Sequence, residues 1–378
     1  MIYLDNAATT LKKPYAVRRE CARCLRRFCA NSGRGGHKSA MLAAERIYAC
    51  RENLAALFHA TDPSRVIFTA NATAALNIAV KGILTPGAHA VISGMEHNSV
   101  LRPVVGASAA YTVAPADETG LVTAASVENA LRGDTALIAV THASNVTGTV
   151  NPIFEIGQIA AKYQIPFLVD AAQSAGVLPI DVQTDNISLL AFPGHKALYG
   201  PTGTGGLYIS PAVSLRTLTE GGTGSASESD SQPEFLPDRF ESGTLNTVGI
   251  VGLNEGVKFV MDRTVNAIRA EEVRLADKLA EGIARVPGVT LYGGKDRVGI
   301  VTFTLAGRDS VDIANTLDGA YRIASRSGLH CAPLAHKSIG TFPNGAVRLS
   351  VGCFTTENEV DRAAEAVKRI ARSGVPFA

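Results

Sequence analysis

The sequence lacks any apolar run long enough to cross a membrane, because glycine, proline and charged residues interrupt every such run well before roughly 18 residues. The N-terminal stretch MIYLDNAATT predicts a short strand and a turn, not the basic end and apolar body of a signal peptide. The chain also lacks an excess of one charge, since 36 Lys and Arg residues balance 34 Asp and Glu residues to a net +2. Basic residues spread this evenly leave no electrostatic footprint for nucleic acid or an anionic membrane. We therefore expect a cytoplasmic protein that binds neither.

Cysteine is too scarce for a disulfide framework, with six residues in a chain of 378. The pair Cys21-x-x-Cys24 has the spacing of two metal ligands, but it lies in a basic, helix-like run, RRECARCLRRF. A zinc site needs further ligands, and no second CxxC or suitably spaced histidine pair follows. We interpret Cys21, Cys24 and Cys29 as helix thiols and expect no metal site.

The length and composition of the chain, with 46% apolar and only 19% charged residues, favour a two-domain α/β protein. Between residues 65 and 209, apolar strands alternate with helices of about 10–15 residues, a rhythm that predicts a mostly parallel sheet covered by helices on both faces. Glu220–Pro237 is rich in Gly, Ser and acidic residues and predicts an exposed loop. Beyond Val248 longer helices and fewer strands predict a smaller α+β unit. We place the large domain at residues 16–255 and the small domain at residues 1–15 plus 256–378.

Polar residues collect where the predicted parallel strands end, which is the edge at which open α/β sheets bind ligands. Each has an ordinary structural explanation, since a strand-end aspartate often caps the next helix and a single histidine is often structural. Their joint placement at successive strand ends instead favours a ligand site. In chain order they are Ala72 and Thr73 of NATAALN, Glu96 and His97 of EHNS, Asn145 of HASNVTG, Asp170 of VDAAQ, and Lys196 of GHK.

Lys196 and Asp170 are the residue types that pyridoxal phosphate (PLP) requires. A lysine forms a Schiff base with the aldehyde of PLP, and a carboxylate at the ring nitrogen keeps that nitrogen protonated, so that the ring withdraws electrons. His97 would stack on the ring, while Thr73 and neighbouring N–H groups at a helix N-terminus would hold the phosphate. The alternative for Lys196 is a surface lysine at the end of a strand.

Motifs along nearly the whole chain, from Leu4 to about Thr356, resemble the cysteine desulfurases of the class V aminotransferase fold. The most specific are GHKALYGPTGTGGLY, VDAAQSAG and RSGLHCA. The form of RSGLHCA is similar to the second desulfurase subgroup, which includes selenocysteine-lyase-like enzymes. The resemblance implies a type I PLP-dependent transferase fold, in which a mostly parallel central sheet is joined to a smaller α+β domain carrying Cys331 and Arg348.

The resemblance also implies roles for individual residues. It places Lys196 on PLP, Asp170 at the pyridinium nitrogen, Gln173 near the phenolic oxygen, Asn145 beside cofactor and substrate, His97 on the ring face, and Ala72, Thr73 and His195 at the phosphate. Thr244 would reach the phosphate of the other subunit's cofactor, which implies a homodimer. Arg348 would clamp the substrate carboxylate in bidentate fashion, a task that lysine performs poorly. Arg326, Asn31 and His37 are also expected at the substrate.

Cys331 decides the implied reaction. As a loop thiol beside His330 and Arg326, which would favour the thiolate, it is expected to be a nucleophile, whereas a buried inert thiol is the alternative. In the implied reaction Lys196 takes the α-proton of L-cysteine, Cys331 receives the sulfur as a persulfide, and L-alanine leaves. A sulfur-acceptor protein or a reductant then takes the sulfur. A selenocysteine lyase or other β-lyase on this fold, and a non-catalytic protein retaining the fold, stay open as alternatives.

Two positions depart from the family pattern. Pro193 stands where the family usually has a serine or threonine whose hydroxyl touches the phosphate. One phosphate hydrogen bond is therefore expected to be absent, which would weaken retention of the cofactor. Leu329 stands where the subgroup often has a histidine, so any role of that histidine is lost here.

Overall fold

The computed structural model describes residues 1–33 and 35–373. Its α-helices are α1 (Tyr15–Arg27), α2 (Lys38–Leu57), α3 (Ala72–Ile83), α4 (Asn98–Gly106), α5 (Ala124–Asn129), α6 (Ile153–Tyr163), α7 (Thr247–Arg263), α8 (Val265–Ala284), α9 (Ser310–Tyr321), α10 (Pro333–Ser338) and α11 (Glu357–Arg372). Its strands are β1 (Ile2–Tyr3), β2 (Val66–Thr69), β3 (His89–Ser93), β4 (Ala110–Ala114), β5 (Thr135–Thr141), β6 (Phe167–Asp170), β7 (Leu189–Pro193), β8 (Gly205–Ile209), β9 (Val289–Tyr292), β10 (Ile300–Leu305), β11 (Ile323–Ala324), β12 (Arg326–Gly328) and β13 (Ala346–Ser350).

Seven strands form the large sheet, in the order β2-β8-β7-β6-β5-β3-β4. Strands β3 to β7 run parallel to their neighbours within that group, while β8 pairs antiparallel with β2 and β7. Side chains alternate between the two faces, so that Phe167 and Val169 of β6 lie in one apolar cluster and Leu168 in another. The first cluster includes residues of α2, α6 and α7, and the second includes residues of α3 and α4. The predicted mostly parallel sheet flanked by helices is confirmed.

The second half of the chain builds a four-stranded antiparallel sheet, in the order β12-β13-β10-β9. The N-terminal segment joins it, because β1 pairs in parallel with β11 and Ile2 and Leu4 lie in one apolar cluster with residues of α8 and α11. This shared core supports the division into residues 16–255 and residues 1–15 plus 256–378. The division stays a prediction, and its boundary at residue 255 falls inside α7.

Three further sequence expectations concern segments outside these sheets. Apart from a 3₁₀ turn at Asp238–Phe240, the chain between β8 and α7 has no helix or strand, as expected for the loop Glu220–Pro237. Cys21 and Cys24 lie on α1, where Cys24 is buried and the Cys21 Sγ lies 3.6 Å from the Val248 carbonyl. Within residues 1–33 and 35–373, no cluster of His, Cys, Asp or Glu is arranged to hold a metal ion, and no helix is long and apolar enough to span a bilayer.

Candidate active site

The carboxyl ends of the parallel strands meet the N-termini of α3 and α4 around a cleft of about 510 Å³. Open α/β sheets bind their ligands at this edge, outside the carboxyl ends of the strands. The predicted residues that line it are Ala72, Thr73, His97, Asn145, Asp170, Gln173, His195 and Lys196. The cleft is also lined by Asn71, Ser99, Thr141 and Pro193, of which Ser99 and Thr141 were not predicted from the sequence.

One end of the cleft is suited to an anion. Helix α3 begins at Ala72, and the side chain of its N-cap residue, Asn71, accepts a hydrogen bond from the Ala74 amide at 2.9 Å. The first amides of a helix have no intrahelical acceptor, and the helix dipole places partial positive charge there. The hydroxyl of Thr73 adds a donor and lies 2.8 Å from that of Ser99. Backbone amides and hydroxyls grouped in this way hold a phosphate.

His97 is both a helix cap and part of the cleft wall. Its Nδ1 accepts a hydrogen bond from the Ser99 amide at 3.0 Å, which leaves the ring proton on Nε2. Burial, reinforced by the positive charge of Lys196, lowers the pKa of His97 to about 4. The imidazole is therefore neutral at pH 7 and fixed in orientation. A neutral, fixed ring of this kind is suited to stack on an aromatic ligand.

Asp170 and Lys196 lie on neighbouring parallel strand ends, Asp170 at the end of β6 and Lys196 just beyond β7. Asp170 is 3% exposed, and its Oδ1 accepts a hydrogen bond from the Ala172 amide at 2.9 Å. Burial raises the pKa of Asp170, while that hydrogen bond and the charge of Lys196 oppose the rise. Burial, together with the positive charge of Arg348, lowers the pKa of Lys196 to about 8. A lysine with a lowered pKa has more of the neutral amine that attacks a carbonyl group.

The loop that carries Lys196 is held by the N-terminal turn. The carbonyl of His195 accepts hydrogen bonds from the hydroxyls of Thr9 (3.2 Å) and Thr10 (3.1 Å) and from Lys13 Nζ (2.8 Å). Burial lowers the pKa of His195 to about 4, so its ring is neutral, and its Nδ1 lies 3.0 Å from the Thr9 hydroxyl. The N-terminal motif LDNAATT therefore supports the site from a distance in sequence.

Asn145 and Gln173 connect the cleft to segments far away in the chain. The Asn145 amide donates to the carbonyl of His330 at 2.8 Å, and the Gln173 amide donates to the carbonyl of Ala7 at 3.0 Å. Asn145 thus contacts the residue that precedes Cys331. Gln173 is buried at 9% exposure and still lines the cleft.

Arg348 and Arg326 lie opposite each other on the neighbouring strands β13 and β12. The carboxylate of Asp5 bridges them, accepting from Arg326 Nη2 at 2.9 Å and from Arg348 Nη2 at 3.1 Å. Arg348 also donates through Nη1 to the Asn145 carbonyl at 2.8 Å. Its Nε is buried and has no acceptor within the described part of the chain. One guanidinium donor of Arg348 is therefore unpaired among the described residues.

Cys331 is an exposed free thiol in the loop between β12 and α10. His330 and Cys331 have φ angles of 49° and 56°, a left-handed conformation that is unfavourable for residues other than glycine. Hydrogen bonds hold the loop in this shape, since the Asn98 amide donates to the Cys331 carbonyl at 2.7 Å and Asn145 donates to the His330 carbonyl. The loop is therefore attached to the cleft wall on both sides of the thiol, at α4 and at Asn145.

The expected help from His330 to the Cys331 thiolate is wrong. His330 is 8% exposed, and burial, followed by the positive charge of Arg348, lowers its pKa to about 2. Its Nδ1 lies 3.1 Å from His336 Nε2, and His336 Nδ1 lies 2.7 Å from the Thr341 hydroxyl. A neutral His330 supplies no positive charge to the thiol. The charges that interact with the thiol are those of Arg326 and Arg348.

Six of the predicted site residues do not line this cleft. Arg326, Cys331 and Arg348 are connected to it through the contacts described above, whereas Asn31, His37 and Thr244 lie apart from it. Asn31 and Thr244 are exposed and contact each other, Asn31 Nδ2 donating to Thr244 Oγ1 at 3.4 Å. His37 caps α2, its Nδ1 accepting from the Ala40 amide at 3.3 Å. Arg34, which belongs to the same predicted loop, lies outside the described residues. Asn31, His37 and Thr244 are therefore not part of the cleft of their own chain.

The donors and acceptors of the cleft match one kind of ligand. The α3 N-terminus suits a phosphate, the neutral His97 ring suits an aromatic face, the buried Asp170 carboxylate suits a protonated ring nitrogen, and Lys196 suits an aldehyde. Of the described residues none donates a hydrogen bond to Asp170 Oδ2, so this oxygen is available to a ligand. The residues present therefore fit a phosphorylated pyridine aldehyde.

Comparison with known proteins agrees with this geometry. Residues 2–363 match the family model described as aminotransferase class-V. A probable cysteine desulfurase of Methanothermobacter thermautotrophicus is 34% identical to this chain, over 99% of the chain and 95% of that protein. A cysteine desulfurase of Escherichia coli O127:H6 is 33% identical, over 98% of the chain and 94% of that protein. An apo cysteine desulfurase of Thermococcus onnurineus NA1 superposes with a TM-score of 0.91 at 30% identity, covering 98% of this chain and 94% of its own. The chain belongs to the class V aminotransferase family and, within it, to the cysteine desulfurases.

Proposed function

We propose that this protein binds PLP in the cleft and converts L-cysteine to L-alanine, with Cys331 carrying the sulfur as a persulfide. The observation that carries the proposal is the convergence of Lys196, Asp170 and the α3 N-terminus in one cleft. Arg348 and the Cys331 loop border this cleft through their contacts with Asn145. This combination supplies a cofactor site, a carboxylate-binding group and a second nucleophile.

Different residues of the cleft would bind different groups of PLP. Lys196 would bind its aldehyde carbon, Asp170 its ring nitrogen, and Gln173 its phenolic oxygen, with His97 on the ring face. Ala72, Thr73 and His195 would hold the phosphate. When bound, PLP supplies an electron sink for the charge that develops at the substrate α-carbon.

The chain's own residues perform the steps around that carbon. Arg348, with Arg326 beside it, binds the substrate carboxylate and so fixes the orientation of the α-hydrogen. Burial lowers the pKa of Lys196 to about 8, which increases the fraction of neutral amine, and this neutral Nζ accepts the α-proton. The Cys331 thiolate then attacks the substrate sulfur and forms an S–S bond to it. The C–S bond of the substrate breaks in the same step, and the electron pair of that C–S bond stays on carbon. Protonation of that carbon skeleton gives alanine, and an acceptor thiol later removes the sulfur from Cys331.

Two further parts of the proposal concern the assembly and location of the enzyme. The exposure of Asn31 and Thr244 outside their own chain's cleft supports a homodimer in which Thr244 reaches the partner's phosphate site. His37 belongs to the same segment and would reach the substrate in the same way. A protein acceptor for the persulfide and a cytoplasmic location are inferred from the sequence.

The reaction is tested with the purified PLP-loaded protein, L-cysteine and dithiothreitol as the sulfur acceptor. We expect equal amounts of alanine and sulfide, because the carbon skeleton keeps its amino group when only sulfur leaves. L-Selenocysteine in a parallel assay separates the alternatives: release of alanine from it alone would identify a selenocysteine lyase. Pyruvate and ammonia in place of alanine would indicate β-elimination and contradict the proposal. Protein stripped of PLP is the control.

Pro193 gives a prediction about cofactor affinity. It is the buried last residue of β7 and lines the cleft together with Thr73 and Lys196, but its side chain offers no hydrogen-bond donor. Pro193→Ser is expected to lower the dissociation constant of PLP by roughly tenfold, since a hydrogen bond to a charged group contributes about 1.5–3 kcal/mol. Equilibrium dialysis or absorbance titration with PLP measures the change.

The control for this prediction is Pro193→Ala, which removes the ring without adding a hydroxyl. The serine variant should bind PLP more tightly than the alanine variant. Equal affinities in the two variants would show that the hydroxyl reaches no phosphate oxygen, and the prediction would be wrong.

A further inference from the structure

The two arginines expected at the substrate carboxylate face each other in an arrangement that is unfavourable without a counter-charge. Arg326 and Arg348 occupy directly opposite positions on the antiparallel strands β12 and β13. Like charges at opposite positions of a strand pair repel. Arg348 is moreover only 2% exposed, so water does little to screen its charge.

Asp5 compensates both charges at once. Arg326 donates to its carboxylate through Nε, at 3.2 Å from each oxygen, and through Nη2 at 2.9 Å from Oδ2. Arg348 Nη2 donates to the other oxygen, Oδ1, at 3.1 Å. Within residues 1–33 and 35–373, each arginine forms its ion pair with Asp5. One carboxylate therefore sets the spacing of the two guanidinium groups.

The backbone fixes Asp5 itself. Asp5 forms a parallel bridge with Ser350 at the end of β13, the strand that carries Arg348. Next to it, the Ser350 amide donates to the Leu4 carbonyl at 2.7 Å, and the Ala7 amide donates to the Ser350 hydroxyl at 2.9 Å. A carboxylate held by main-chain pairing is a rigid support for a binding group.

The bridge to Asp5 does not occupy every donor of the two arginines. Arg348 Nε is buried without an acceptor, and Arg326 uses only Nε and Nη2 toward Asp5. Arg348 Nη1 is directed to the Asn145 carbonyl, beside the residues that line the cleft. Among the described residues, Arg348 Nε therefore stays unpaired while Asp5 and Asn145 occupy the other two nitrogens of the guanidinium group.

We propose that Asp5 is a positioning residue for recognition of the α-carboxylate: its bridge to Arg326 and Arg348 holds the two guanidinium groups at the spacing that selects amines bearing a carboxylate. The proposal rests on the proposed function only in placing the substrate at this arginine pair. It makes Asp5 of the N-terminal motif a specificity residue, although Asp5 itself touches the arginines and not the substrate.

The test compares two amines that differ only in the carboxylate, L-alanine and ethylamine. Each is titrated into the PLP-loaded wild type and into Asp5→Asn, and the change in the visible absorbance of the bound PLP gives the dissociation constant. In Asp5→Asn the two guanidinium groups lose their common anion and move apart. We expect affinity for L-alanine to fall by roughly tenfold or more, the scale of one charge-assisted contact, while affinity for ethylamine stays within about twofold.

Steady-state kinetics with L-cysteine provide a second readout. Because Asp5 acts on binding and not on the reacting atoms, KM should rise in Asp5→Asn by a factor similar to that for L-alanine, and kcat should change much less. The surface pair Arg132–Asp134 offers a matched control, since Asp134→Asn also removes the carboxylate of an arginine ion pair. That control should change neither amine affinity.

Three outcomes would overturn the proposal. One is an equal loss of affinity for both amines, which would indicate general distortion of the site; another is no loss for either amine. The third is a wild type that does not prefer L-alanine to ethylamine. If Asp5→Asn fails to fold, Asp5→Glu decides by the same comparison, because the displaced carboxylate moves the arginines while keeping the charge. The amine titrations need no sulfur transfer, so a wild type that binds L-alanine but does not desulfurate L-cysteine would contradict only the proposed function.

Discussion

Replacement of Lys196 by alanine is expected to abolish both the covalent attachment of PLP and the turnover of L-cysteine. Lys196 lies just beyond β7, between the α3 anion site and the buried Asp170, and burial lowers its pKa to about 8. Its removal deletes the carbonyl-attacking amine and the base for the α-proton together. We expect alanine formation to fall by about 10⁴-fold or more, since a positioned general base alone contributes 10²–10⁴-fold.

Two measurements assign this loss to the lysine itself. Borohydride reduction followed by peptide mapping should label residue 196 in the wild type and leave Lys196→Ala unlabelled. The exposed residue Lys162, paired with Glu128 on the surface, supplies the control, and Lys162→Ala should retain both label and activity. A wild type labelled at a different lysine would remove the assignment of Lys196, and with it the proposed chemistry.

The large sheet was predictable from the sequence because its strands are buried on both faces. Such strands are continuous apolar runs, and the helices between them repeat with their own period. Strand Thr135–Thr141 and helix Ile153–Tyr163, for example, follow each other within the predicted alternation of strands and helices. The carboxyl ends of these strands then bring Thr73, Asp170 and Lys196 together without further information about long-range contacts.

The short elements of the second half were missed for a physical reason. Strand β12 has three residues, among them the exposed Arg326 and a glycine, and it exists because it pairs with β13. Edge strand β9 is half-exposed, and α10 has six residues, the first of which is a proline. Elements this short contain too few residues to show a periodic pattern of apolar residues. Tertiary contacts stabilise them, and the local sequence does not report those contacts.

Site residues also differ in whether a local pattern or a long-range contact reveals their role. Asp5 bonds to Arg348 across 343 positions of the chain, and no local pattern reports such a contact. The motif LDNAATT is visible in the sequence, but only the fold shows that its Asp5 carries the counter-charge of the arginine pair. His330 shows the converse error: its position beside Cys331 predicted a cation, whereas burial against His336 keeps it neutral.

Replacement of Cys331 by serine should separate sulfur transfer from the earlier proton transfer. Cys331 is exposed and touches the cleft wall through its carbonyl, so the substitution leaves the Asn98 and Asn145 contacts of the loop in place. A serine hydroxyl stays protonated near pH 7, and the nucleophile for the substrate sulfur is therefore lost. We expect PLP binding to be unchanged and persulfide and alanine formation to fall by roughly 10⁴-fold or more.

Hydrogen exchange distinguishes this variant from Lys196→Ala. In D₂O, Cys331→Ser should still exchange the α-hydrogen of L-alanine, because Lys196 and Arg348 are intact, whereas Lys196→Ala should not. Intact-protein mass spectrometry after addition of L-cysteine should show an added sulfur in the wild type and in Cys29→Ser, the control at the other exposed cysteine, but not in Cys331→Ser. Undiminished alanine formation by Cys331→Ser would mean that sulfur leaves the substrate without an enzyme thiol. An external thiol acceptor would then attack the substrate sulfur directly, because the remaining residues bind and deprotonate the amino acid but offer its sulfur no acceptor.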